Sequence, residues 1–184
     1  MFGRLTPVVK NLLIINVGIY FISSFMSLNL NEFLSLRNLH SEHFIPFQFL
    51  TYMFLHGSTW HLISNMFGLF IFGPLLEQFW GPKRFLIFYL VTGIGAAVLH
   101  SLVNYIEYYN VTSQLSPESV AYVKEVGADI WGTTQVFKEP LMNKLNQFLN
   151  IPTVGASGAV FGILLGFGML FPNTQLMLLF PPIP

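Results

Sequence analysis

Charge is what this sequence has least of: only 9% of its 184 residues are Asp, Glu, Lys or Arg, while 53% are hydrophobic. A soluble domain needs about 25% charged residues to cover its surface, so this composition excludes a largely water-facing exterior. Lipid asks for the opposite, apolar side chains outward and backbone polar groups paired within helices. Cysteine is absent altogether, which removes disulfide frameworks, thiolate nucleophiles and sulfur metal sites, and leaves any nucleophile to be an oxygen or a nitrogen. Neither sign of charge is in excess, since eight basic and eight acidic residues cancel. No net field therefore draws nucleic acid or an acidic substrate, and nucleic acid is not expected as a partner. His56 and His61 are accompanied by no His-Glu-x-x-His pattern or supporting acid, so no metal site is expected there.

What the chain does have is long apolar runs. The first, Asn11 to Leu30, follows Arg4 and Lys10 and is nearly long enough to span. Ser23-Ser24-Phe25 lacks the small third residue of a cleavage site, so the run is read as an uncleaved anchor. Further spans are expected from about Trp60 to Phe79, Phe85 to Tyr105 and Val154 to Phe171, and a fifth opens at Gln175. The fold class is therefore an all-α membrane protein, one unit over residues 1–184. Arg4, Lys10 and the Lys83-Arg84 pair in a tight turn place the amino terminus inside by the positive-inside rule. Arg37, Lys124, Lys138 and Lys144 fall in longer external segments, which weigh less.

The segment 106–152 reads as an external insertion between the third and fourth spans. Ser116-Pro117-Glu118 predicts a capped helix through Val126 that ends at Gly127. A second helix follows Pro140, with Leu141, Leu145, Phe148 and Leu149 on one face, suited either to the outer leaflet or to packing on neighbouring spans. Asn110-Val111-Thr112 fits a glycosylation sequon, which matters only in a secretory pathway.

Polar residues inside a span are expensive unless they face protein or water, so each is a candidate site. His61 and Asn65, four apart, share a helical face, and both can donate to an anionic oxygen. Gly155-Ala156-Ser157-Gly158 opens the fourth span. From there to Pro172 is about 16 residues, or roughly 24 Å of helix against a core of about 30 Å. Ser157 would then be recessed below the surface, where flanking glycines admit another backbone and its own unpaired N–H could face an oxyanion. The plain alternatives are that Ser157 is a packing residue on the ridge Gly158, Gly162 and Gly166, and that His61 is an interior hydrogen-bonder. His100 and Asn104 repeat the four-residue spacing in the third span without further support.

Taken in order, Pro46 to His56, His61-x-x-x-Asn65, Glu77 to Gly81 and Gly155-Ala156-Ser157-Gly158 resemble the rhomboid intramembrane serine proteases over nearly the whole chain. The resemblance implies a six-helix rhomboid-like bundle in which Ser157 is the nucleophile and His61, Asn65 and the Ser157 N–H form the oxyanion hole. His56, Gly155, Gly158 and Phe161 would support it, Phe161 lying beneath the imidazole of a histidine on the sixth span. It implies no cofactor or metal, and substrates that are transmembrane helices of other proteins entering from the lipid bilayer, in a bacterial inner membrane. No histidine present sits where the family's base should be, so the base is expected beyond Pro184 and these 184 residues alone are expected to be inactive. The competing expectation is a catalytically inactive rhomboid-like protein that binds or sorts membrane clients; the joint presence of Ser157, His61 and Asn65 favours the protease.

Overall fold

The computed structural model describes residues 5–25 and 30–174, so the expected fifth span from Gln175 lies outside them. Helix α1 (Pro7–Phe25) starts four residues before the expected run. Pro7 has the fixed φ that suits a first helical position, and the next two amides find an acceptor in another helix. The buried Glu77 carboxylate takes the Val8 N–H at 3.0 Å and the Val9 N–H at 2.9 Å, supplying the donors of a helix start with a counter-charge that lipid cannot.

A short α2 (Leu30–Leu34) leads through an irregular loop to α3 (Gln48–Thr51) and a 3₁₀ turn over Tyr52–Phe54. The fully buried Gln48 organises this loop by donating to the carbonyls of Phe33 and His43 and accepting from the Arg37 N–H. Helix α4 (Thr59–Trp80) is capped by Ser58, whose Oγ accepts the His61 N–H at 3.1 Å. It ends at Gly81, whose φ of +80° lets the chain turn directly into Pro82 at the head of α5 (Pro82–Thr112).

Helix α5 overruns the expected end at Tyr105 by seven residues, because nothing from Ile106 to Thr112 breaks it. At 31 residues it is about 46 Å long and projects beyond a core of about 30 Å. Its tip buries Tyr108 and Val111 against α6 (Pro117–Ile130) and α7 (Pro140–Asn150). Helix α6 begins as expected, with Ser116 as its cap, but runs past Gly127. That glycine is internal and buried because the Asn146 side chain lies where its Cβ would be, and the stop comes instead at Trp131, before Gly132 with φ +82°. The apolar face of α7 is spent on protein, with Leu145 and Leu149 buried in the same cluster, and Lys144 pairs with Glu107 of α5 at 3.1 Å.

Helix α8 (Ser157–Leu170) packs on α4 and α5. A Cβ on Gly158 would stand 2.5 Å from Ala96 Cβ, one on Gly162 2.6 Å from Thr92 Cβ, and one on Gly166 3.3 Å from the Phe88 ring. The Gly158, Gly162 and Gly166 ridge is thus the close seam between α8 and α5. The main core lies where α1, α4, α5 and α8 meet, around Val9, Leu69, Leu76, Phe85, Tyr89, Ala159 and Ile163. Helices α1, α4 and α5 are long and apolar enough to cross a membrane. With 14 residues, α8 reaches only about 21 Å, so Ser157 at one end and Leu170 at the other cannot both reach the surfaces of a full-thickness core.

Candidate active site

Ser157 is the first residue of α8, so its N–H has no acceptor within the helix. The segment that delivers it is stitched to the loop between α1 and α4. Thr153 and Leu36 exchange two backbone bonds, at 2.9 and 3.0 Å, and the Gly155 N–H donates to the Tyr52 carbonyl at 2.9 Å. Tyr52 is held in turn, its hydroxyl donating to the Gly93 carbonyl on α5 at 2.7 Å. The loop before α4 and the segment before α8 therefore lie on the same side of the bundle.

This arrangement brings the predicted residues together. Gly155 has φ +127°, a conformation that side chains rarely tolerate, and an added Cβ would fall 2.7 Å from His61 Nε2 and 3.7 Å from Ser157 Oγ. The imidazole and the hydroxyl thus converge over a single glycine. Asn65, one turn on and buried, donates one amide N–H to the His61 carbonyl at 3.0 Å, which leaves its second N–H for another acceptor. His56 is buried beside them, its ring centroid 5.1 Å from that of His61 and tilted by 67°. Neither of its ring nitrogens has a partner among the described residues, so unspent hydrogen-bonding capacity lies next to His61. An added Cβ on Gly158 would fall 2.5 Å from Ala96 Cβ and 3.4 Å from the Tyr52 hydroxyl, so its place in the motif is also a packing requirement.

Phe161 is one turn after Ser157 but 70% exposed. The imidazole that the resemblance sets above it lies on a sixth span, outside the described residues, and no described helix covers that face of α8. His100 and Asn104 lie apart from the Ser157 group, 2.9 Å from each other, with Thr153 Oγ1 2.8 Å from His100 Nε2. Sequence reasoning passed over Tyr52, Leu36 and Thr153. Their part is played by backbone groups and two hydroxyls, which leave no periodic or motif signal, although Tyr52 does fall inside the Pro46 to His56 approach.

Comparison with known proteins meets this geometry. The Rhomboid domain family model matches residues 44–184. Rhomboid-like protein 11, chloroplastic, of Arabidopsis thaliana is 36% identical over 94 residues, 50% of this chain and 32% of that protein. The Rhomboid protease AarA of Providencia stuartii is 30% identical over 111 residues, 60% and 29% of the two chains. RHOMBOID-like protein 12, mitochondrial, of Arabidopsis thaliana is 29% identical over an alignment of 184 residues, 96% of this chain and 46% of its own. The chain thus spans less than half the length of each of these relatives, and no solved structure gives a significant match. With its domain matched over most of its length and its apolar helices bundled around the buried Asn65, the chain is an integral membrane protein that belongs to the rhomboid family.

Proposed function

We propose that this protein is an intramembrane serine endopeptidase that cleaves transmembrane helices of other membrane proteins. The observation that carries the proposal is the convergence of His61 Nε2 and Ser157 Oγ over Gly155, with Asn65 one turn away. Ser157 Oγ attacks the scissile carbonyl, forming the C–O bond of a tetrahedral intermediate whose oxyanion is met by His61, Asn65 and the Ser157 N–H. Collapse breaks the C–N bond and leaves an acyl-enzyme, which water hydrolyses. The Ser157 proton passes to a histidine and from it to the leaving amine. The rhomboid resemblance assigns that base to a sixth span.

Positive charge at Arg4, Lys10, Lys83 and Arg84 supports a cytoplasmic amino terminus. The serine would then open toward the outer face of what we propose is a bacterial inner membrane. The test is labelling of the complete protein in liposomes by a fluorophosphonate, a serine-directed probe, together with cleavage of a transmembrane substrate. Both are expected to vanish in Ser157→Ala, and Asn65→Ala should lower turnover by about 100- to 1,000-fold. Labelling that survives Ser157→Ala, or cleavage unaffected by it, would refute the assignment. A protein that neither labels nor cleaves would point to an inactive client-binding member of the family.

A further inference from the structure

His100 and Asn104 take no part in the hydrolysis outlined above, yet they reach the segment that delivers Ser157. Between the end of α7 at Asn150 and the start of α8 at Ser157 the chain has no helix to hold it in place. Gly155, within this stretch, adopts φ +127°, and a glycine stiffens its own backbone least of all residues. The position of Ser157 must therefore come from tethers. Two run through the backbone to the loop before α4, the mutual pair of bonds between Thr153 and Leu36 and the bond from the Gly155 N–H to the Tyr52 carbonyl. A third comes from a spanning helix: His100 Nε2 lies 2.8 Å from Thr153 Oγ1, and Asn104 Nδ2 lies 2.9 Å from the same nitrogen. A ring nitrogen carries either one proton or one lone pair: protonated, Nε2 donates to the Thr153 hydroxyl, and unprotonated it accepts from that hydroxyl or from the Asn104 amide. Thr153 thus has its backbone fixed by Leu36 and its side chain by α5, four residues before the serine.

We propose that His100 is a positioning residue for Ser157: it acts through the Thr153 hydroxyl to hold the 151–156 segment in register with the oxyanion donors. The proposal rests on the serine-hydrolase reading, so its test pairs a readout of activity with one that needs none. Amide hydrogen exchange over residues 151–157 is compared, in the complete protein, among wild type, Thr153→Val, Thr153→Ser and His100→Leu. Valine keeps the shape and the backbone bonds but lacks the hydroxyl, whereas serine retains it. Exchange should quicken in Thr153→Val and His100→Leu and stay near wild type in Thr153→Ser. Fluorophosphonate labelling of Ser157 should slow about tenfold in each of the first two, with KM for a transmembrane substrate little changed. The double variant His100→Leu/Thr153→Val should be no slower than either single variant, since both remove one contact.

Unchanged exchange in Thr153→Val would overturn the proposal whatever the activity, and so would losses that add in the double variant. Should His100→Leu fail to fold, Thr153→Val carries the comparison, with Thr153→Ser as its rescue. A wild-type protein that labels no better than Ser157→Ala would strike the hydrolase reading and with it the positioning of a nucleophile, while quickened exchange would still show that His100 anchors the segment.

Discussion

Replacing Gly155 with alanine adds one methyl group at the narrowest point of the site. The new Cβ would stand 2.6 Å from His61 Cε1 and 2.7 Å from Nε2, against a comfortable carbon contact of about 3.5–4.0 Å. His61 must therefore retreat by roughly 1 Å, and a misplacement of that size costs about 100-fold in rate. The ring cannot simply step aside, because His56 is packed against one flank and the His61 backbone is pinned by Ser58 and by Asn65. A second, separate penalty comes from φ +127°, where a side chain adds about 1–3 kcal/mol of strain. The expected outcome for Gly155→Ala in the complete protein is a fall of about 100-fold in kcat for a transmembrane substrate, with a melting transition lowered by several degrees but still cooperative. Liposome cleavage assays paired with thermal unfolding in detergent read both. A folded Gly155→Ala protein that keeps kcat within about threefold of wild type would show that the imidazole does not need its observed place, and the convergence at Gly155 would lose its meaning.

Gly158→Ala probes the other side of the motif: its Cβ would press on Ala96 Cβ at 2.5 Å, a contact no rotamer relieves, so unfolding free energy should drop by about 1–3 kcal/mol, measured by denaturant titration in micelles. Glu77→Ala leaves the Val8 and Val9 amides without their charged acceptor and should cost about 3 kcal/mol or more, with hydrogen exchange at the start of α1 rising first. On the loop side, His40 stacks on Tyr108 at 3.8 Å, and burial followed by the Lys124 charge lowers its pKa below the ordinary value. The unfolded chain then takes up the proton first, so this contact contributes fully above the ordinary histidine pKa of about 6.5 and loses stability as pH falls below it. Thermal unfolding from pH 8 to 5 should show that decline, and His40→Phe, which keeps a ring but cannot titrate, should make it shallower.

Much of the protein is legible in the residue order, because lipid imposes a rule that composition obeys: a helix that crosses a membrane must be long and apolar, so α4 appears within a residue of its expected bounds at each end. Ser157, His61 and Asn65 stand out for the complementary reason, that polar groups in such helices need a use. Where local signals misled, tertiary contacts had replaced them. Glu77 supplies the acceptor that lets α1 begin at Pro7, α6 and α7 give the end of α5 something to pack on, and Asn146 fills the space that makes Gly127 an internal residue instead of a stop. The convergence of His61 with Ser157 belongs wholly to the folded state, since 96 positions of sequence separate them and that gap is closed by the packing of α8 on α4 and by the backbone bonds at Thr153, Gly155 and Tyr52. Sequence alone determined which residues had to be sheltered from lipid; the tertiary structure decided which of them meet, because hydrogen bonds between distant backbone groups carry no side-chain signature.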